Sequence, residues 1–229
     1  MGETFRRYLP SFVGILIALW AAILLMQALR PVLTPLEADL RVLLQLGVKW
    51  IITLILLGIV LLWERERLSS IGIRRMNRQD VLWAFVGFLI AGALISGTIP
   101  LLKALGIGTT EAGVRRLGEF SFALRILIVL TAAITEEIQY RGYPIERLYK
   151  LTGSLPLSAL ITYIVFVGLH ISFWTIGGAI QIGLGSLVLY AIYLWRRNLP
   201  ACMLMHFLNN SVAFLLIPEF LKHVPTQSQ

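Results

Sequence analysis

Charge is scarce in this chain. Of 229 residues, 20 are Lys or Arg and 12 are Asp or Glu, 14% in all, against about 25% in an average soluble domain. A water-soluble globule of this length needs a polar skin that so few charges cannot make. Disorder is excluded on the same ground, because disordered chains are poor in apolar residues and rich in charge. Cysteine occurs once, at Cys202, which excludes an internal disulfide and any multi-cysteine metal cluster. Period-2 alternation is missing from every long apolar run, so a β-barrel is not expected. No internal repeat, low-complexity stretch or soluble domain is visible.

What is present is apolar. Hydrophobic residues make up 58% of the chain, and they gather in seven runs near the roughly 20 residues that cross a bilayer. The runs are Ser11–Leu29, Leu43–Trp63, Val81–Leu102, Phe122–Ile138, Leu155–Phe173, Gly177–Trp195 and Leu199–Ile217. They predict an all-α, polytopic membrane helix bundle, with residues 1–229 as one integral membrane domain. Pro100, Pro144, Pro156, Pro200 and Pro218 fall at or near the ends of runs, where a missing N–H costs least. The first run exceeds the 7–15 apolar residues of a signal peptide, so it reads as a retained span. The net charge is +8. The basic residues lie between apolar runs, which points to an anionic membrane face and not to nucleic acid. Arg65, Arg67, Arg74, Arg75 and Arg78 share one loop. The excess of positive charge on cytoplasmic loops puts that loop and the N-terminus, with Arg6 and Arg7, on the cytoplasmic side of the cell membrane. Arg147, Lys150, Arg196 and Arg197 then fall on the same side. Arg115 and Arg116 would face outward and are the weak point of this assignment.

Ionisable groups inside a span cost about 2.5–3.5 kcal/mol each on the insertion scale, so three places stand out. In the fourth run, Glu136 and Glu137 are followed by Arg141. Glu137 and Arg141 are four apart with the acid first, the favourable order for a helical ion pair. Glu136 faces elsewhere and lacks that partner, which leaves one carboxylate for proton transfer. The plain alternative is a charged cluster that ends the helix. The fifth run carries Phe166 and, one turn on, His170; a core histidine bonded to a neighbour is the alternative. The seventh carries His206 and Asn210 on one face, where polar residues also serve as glue between membrane helices. Two of the three histidines thus lie within apolar runs, and the third, His223, is in the tail. Together the three places have the makings of one polar cavity.

The ordered set Glu136-Glu137-x-x-x-Arg141, Phe166-x-x-x-His170 and His206-x-x-x-Asn210 resembles the CPBP family of intramembrane proteases, which includes type 2 CAAX prenyl endopeptidases and bacteriocin-processing or immunity proteins. The set spans residues 136–210. Each motif alone is weak and the ordered trio is specific. Tyr140 stands where phenylalanine is common, residues 68–75 look like the family's lead-in, and the first 65 residues add nothing. The resemblance implies hydrolysis of a peptide bond in a membrane-embedded or lipidated substrate, by helices within residues 120–217. It implies Glu136 as the base that activates water, His170 as the group that binds and polarises it, and His206 and Asn210 as donors to the oxyanion. Glu137, Arg141 and Phe166 would support them. A zinc ion held by Glu136, His170 and His206 is the other possibility. There is no H-E-x-x-H, and an asparagine amide suits an oxyanion better than a metal, so the metal-free mechanism is favoured.

Two other functions compete. A silent interaction or immunity protein of the same family could use these residues to hold the bundle together. A proton-coupled carrier would also bury Glu and His, but it leads one to expect broken helices in paired repeats. A geometric tension accompanies the protease reading. As a straight helix, the fifth run carries His170 to its far end, away from Glu136. The expected resolution is that this helix starts deeper than hydropathy suggests, with a break at Pro144.

Overall fold

Polar caps divide the apolar chain into helices. The computed structural model describes residues 2–222, with side chains from Tyr8 to Phe220 except Ser172. His223 and the side chains of Arg6 and Arg7 lie outside that description. Eight helices are formed and no strand occurs among the described residues. They are α1 (residues 2–33), α2 (Ala38–Trp63), α3 (Arg78–Ala104), α4 (Glu111–Gly118), α5 (residues 122–152), α6 (residues 155–174), α7 (residues 176–196) and α8 (residues 199–222). Asn77 and Asp80 close a reciprocal capping box at the start of α3. Ser121, Ser154 and Asn198 cap α5, α6 and α8 through side-chain oxygens, each satisfying an otherwise orphaned N–H.

Among the described residues, five stretches are long and apolar enough to cross a membrane: Tyr8–Leu33, Ala38–Trp63, Arg78–Ala104, Phe173–Arg196 and Leu199–Phe220. The other two predicted runs are also helical. Leu155–Ile171 is shorter, and the fourth run is interrupted by its own Arg125, Glu136 and Glu137. Within Phe173–Arg196, 56% of the apolar window is buried, against 17–28% in the other four. That makes α7 the central helix, while α1, α2 and α3 turn Leu, Ile and Phe side chains outward.

The expected break at Pro144 does not occur, and α6 does not start late. Helical structure continues from residue 122 to residue 152 and ends at Gly153, which takes a left-handed φ of 69°. A residue without Cβ enters that region at little cost. Glu136 and His170 lie equally far along the chain on either side of Gly153, so a simple antiparallel hairpin of α5 on α6 brings them level. The tension came from ending the fourth helix too early. Residues 143–152 are amphipathic and not apolar, and hydropathy alone does not see them. A second reversal follows at Thr175 (φ 67°, ψ 175°), and it lays Tyr163 of α6 against Tyr190 of α7, rings 5.4 Å apart. A third, at Arg197 (φ 50°), starts α8.

One end of the bundle is tied by ion pairs. Arg147, fully buried, donates from Nε and Nη2 to Glu64 Oε2 at 2.8 and 2.5 Å. Glu64 also accepts from Tyr143 and from Ser11 of α1. Lys150 pairs with Glu66, Arg197 with Glu146 and Arg196 with Asp80. The Lys150 hydrogen bond holds the Glu66 carboxyl below its ordinary range. The loop after α2, the α5–α6 turn and the α7–α8 turn therefore share one end, as the charge pattern required. At the other end α4 was not anticipated. It shelters Val114 and Leu117 against Phe214 and Val129. Its Arg115 is paired with Glu111 at 3.0 Å and its Arg116 lies over the Phe173 ring. Lys103, then Arg115, hold the Glu111 carboxyl below its ordinary range by hydrogen bonding. The charges that embarrassed the orientation are thus partnered on a short helix of their own.

Close approach fixes one glycine in the motif helix. A Cβ on Gly142 would lie 2.6 Å from Leu199 Cδ2 and 2.8 Å from the Ile71 carbonyl oxygen. The oxygen belongs to the backbone and has nowhere to go. Gly142→Ala is expected to destabilise the protein by about 1–3 kcal/mol, the usual cost of overpacking, seen as a lower midpoint of thermal unfolding in detergent.

Candidate active site

The site is built on the middle of α5. Its backbone there takes wide π-type turns, over Ala132–Glu136 and Ile138–Gly142. Turns of the same kind occur at Ile17–Ala21, Ile59–Trp63 and Val212–Leu216, so here they matter for where they aim the motif side chains. Every residue from Thr135 to Arg147 is buried, so this stretch faces protein on all sides and the polar residues are sheltered from lipid.

Glu137 and Arg141 form the ion pair that their spacing predicts, and both are fully buried. The Arg141 guanidinium lies between two rings, 4.7 Å from the centre of Phe166 and 4.6 Å from that of Tyr190. Cations are attracted to the faces of aromatic rings, most strongly where water is excluded. Tyr140, the departure from the family pattern, packs edge-on against Phe166 at 5.4 Å, so it supplies the same kind of contact as phenylalanine. Glu137 Oε1 also accepts from His206 Nδ1 at 2.8 Å. One carboxylate oxygen thus joins α5 to α8.

The two histidines are oriented by their Nδ1 atoms. His170 Nδ1 lies 2.7 Å from the Phe166 carbonyl oxygen. A carbonyl can only accept, so Nδ1 carries the proton and Nε2 presents a lone pair. The Phe166 ring, 4.3 Å away, backs the imidazole. His206 Nδ1 donates to a carboxylate, which turns its Nε2 away from Glu137. Glu136 lies within electrostatic reach of both imidazoles. Asn210 is half-buried, one turn beyond His206 on the same face of α8, and forms no side-chain hydrogen bond among the described residues. Asn209 spends its amide on the Met205 carbonyl of its own helix, at 3.0 Å.

One member of the site escapes the sequence motifs. Glu136 is not without a partner. Lys49 of α2 donates to its Oε1 at 2.6 Å. A polar seam surrounds that contact. Trp50 Nε1 donates to Thr131 Oγ1 at 3.0 Å, and Gln139 Nε2 donates to the Lys49 carbonyl at 3.0 Å and to Thr53 Oγ1 at 2.9 Å. The signal for Lys49 was available: it is a lone charge in an apolar run, which the insertion cost makes suspect. No spacing rule links it to Glu136, because the two are far apart in sequence and meet only through the packing of α2 on α5.

The residues do not fit a zinc ion as they are arranged. Among the described residues, no three His, Cys, Asp or Glu side chains form a group able to hold a metal. Lys49, a cation, sits on the carboxylate that would be the acidic ligand.

With this geometry in hand, residues 118–212 match the family model for type II CAAX prenyl endopeptidase Rce1-like proteins. The match runs from the last residue of α4 through all of α5, α6 and α7 into α8 as far as residue 212, which is the part that carries the three motifs. No curated protein and no solved structure matches the chain.

Proposed function

We propose, from the premise that this chain belongs to the CPBP family of intramembrane proteases, that it is a multi-pass membrane endopeptidase. It hydrolyses a peptide bond of a membrane-embedded or lipidated substrate, with its tied, charged end toward the cytoplasm. What supports the reading is that Glu136, His170 and His206, carried by three different helices, lie within electrostatic reach of one another.

In this reading Glu136 takes a proton from water while the water oxygen bonds to the scissile carbonyl carbon. His170 Nε2, a lone pair, holds the second water hydrogen and so aims the oxygen. The carbonyl oxygen becomes an oxyanion. Asn210 Nδ2 donates to it, and so does His206 Nε2 when the ring carries its second proton, with Glu137 balancing that charge. A donor of this kind is worth about 3–4 kcal/mol in known hydrolases. Glu136 then passes its proton to the amide nitrogen, the C–N bond breaks and the two peptides leave.

The test is cleavage of a lipidated peptide by the purified protein in lipid vesicles. His170→Ala, His206→Ala and Asn210→Ala are each expected to reduce kcat by about 10- to 1,000-fold. Full cleavage by all three variants would remove these residues from the chemistry, and absence of cleavage by the wild-type protein would sink the reading and favour the interaction protein, in which the same residues hold helices together. Exhaustive treatment with a strong chelator is expected to leave the rate unchanged. Loss of activity restored by zinc would overturn the metal-free mechanism while leaving the protease assignment in place.

A further inference from the structure

We propose that Lys49 is a positioning residue for Glu136: its ammonium holds Oε1 and leaves Oε2 as the oxygen that takes the proton from water. The proposal rests on the protease reading above and assigns a part to α2, which contributes none of the three motifs.

The geometry separates this pair from ordinary helix glue. The backbone at Lys49 is itself pinned. Its carbonyl accepts from Gln139 Nε2 at 3.0 Å and from Thr53 Oγ1 at 2.8 Å. Gln139 belongs to α5, as Glu136 does, so the lysine stem leaves from a point fixed relative to the carboxylate it meets. The docking of α2 on α5 is already served by neutral bonds, from Trp50 to Thr131 and from Gln139 to Thr53. A membrane helix that needed only docking would not retain a lysine at its centre, given the cost of placing one there. The side chains differ in access: that of Lys49 is 34% exposed and that of Glu136 only 11%. The ammonium therefore reaches in from the rim and covers one oxygen of a carboxylate whose neighbour, Glu137, has Arg141 and His206 to hold it. Glu136 has no second hydrogen-bonded partner among the described residues. Without Lys49 its carboxylate would be free to rotate, and either oxygen could turn from the water. A displacement of about 1 Å at a reacting group can cost 100-fold in rate.

The experiment measures kcat and KM separately in vesicles for Lys49→Met, Lys49→Arg and Trp50→Phe, with thermal unfolding of each in detergent. Lys49→Met is expected to lower kcat at least about tenfold with KM within about twofold, the pattern of an effect on the reacting step alone. Lys49→Arg is expected to recover most of the rate, and Trp50→Phe, which breaks the neighbouring bond of the same seam, to keep it. Should Lys49→Met fail to fold, Lys49→Gln, which retains a donor without the charge, takes its place. Wild-type rates in Lys49→Met overturn the proposal alone. Equal losses in Lys49→Met, Lys49→Arg and Trp50→Phe reduce the lysine to helix docking and also overturn it. A raised KM with kcat intact makes Lys49 a substrate contact and overturns it too. Absence of cleavage by the wild-type protein removes the protease reading together with this one.

Discussion

Glu136→Gln is expected to lower kcat by about 100- to 10,000-fold, the range over which a positioned general base contributes. The protein should still fold. Glutamine has the shape of glutamate, and its Oε1 can still accept from Lys49 Nζ, the contact made at 2.6 Å. What is lost is the capacity to take a proton. The cost to the fold is that of an unpaired ammonium whose side chain is one-third exposed, so it is modest. Single-turnover cleavage in vesicles, read beside the unfolding midpoint, checks both parts. A variant that cleaves at the wild-type rate would remove Glu136 from the chemistry.

Arg141→Met is expected to do the opposite and to destabilise the protein by about 3–5 kcal/mol, the cost of removing one member of a buried ion pair. Glu137 and Arg141 are both shielded completely from solvent, so the carboxylate left behind keeps only its bond from His206 Nδ1 and has no water to replace the guanidinium. The guanidinium also fills the space between Phe166 and Tyr190, and methionine restores part of that volume but none of the attraction. Activity should fall as a consequence, because Glu137 is also the acceptor that orients His206. Replacing both partners, as Glu137→Leu with Arg141→Met, is expected to be less destabilising than Arg141→Met alone, since two apolar side chains leave no orphaned charge. Equilibrium unfolding in detergent measures the difference. The adjacent glutamates are thus expected to have contrasting phenotypes, substitution at the first lowering the rate and loss of the second's partner weakening the fold.

Much of the site was legible because it obeys local rules. Glu137 and Arg141 pair across one helical turn, His170 packs against the ring of the residue one turn before it, and His206 and Asn210 share a face. Each is an i,i+4 relation that follows from helix geometry. The fold class was legible for a coarser reason: so little charge over so long a chain leaves lipid as the only solvent. The boundary at Ile138 was not. It assumed that a membrane helix stops where apolar residues stop. In fact α5 runs on through a stretch whose polar side chains, Arg147 and Glu146 among them, are satisfied by Glu64, Tyr193 and Arg197.

The chain by itself determined a bundle of apolar helices, the caps and turns that divide them, and three motifs whose spacing puts chemistry on particular helix faces. These are matters of composition and of neighbours within a turn or two. Tertiary structure decided what those faces meet. It set Glu136 level with His170 through the hairpin at Gly153, bound Glu137 to His206 across helices, and brought Lys49 onto Glu136 from α2. Pairings over such separations depend on how helices cross and how deep each one sits. Side-chain packing sets those quantities, and no periodicity in the sequence encodes them.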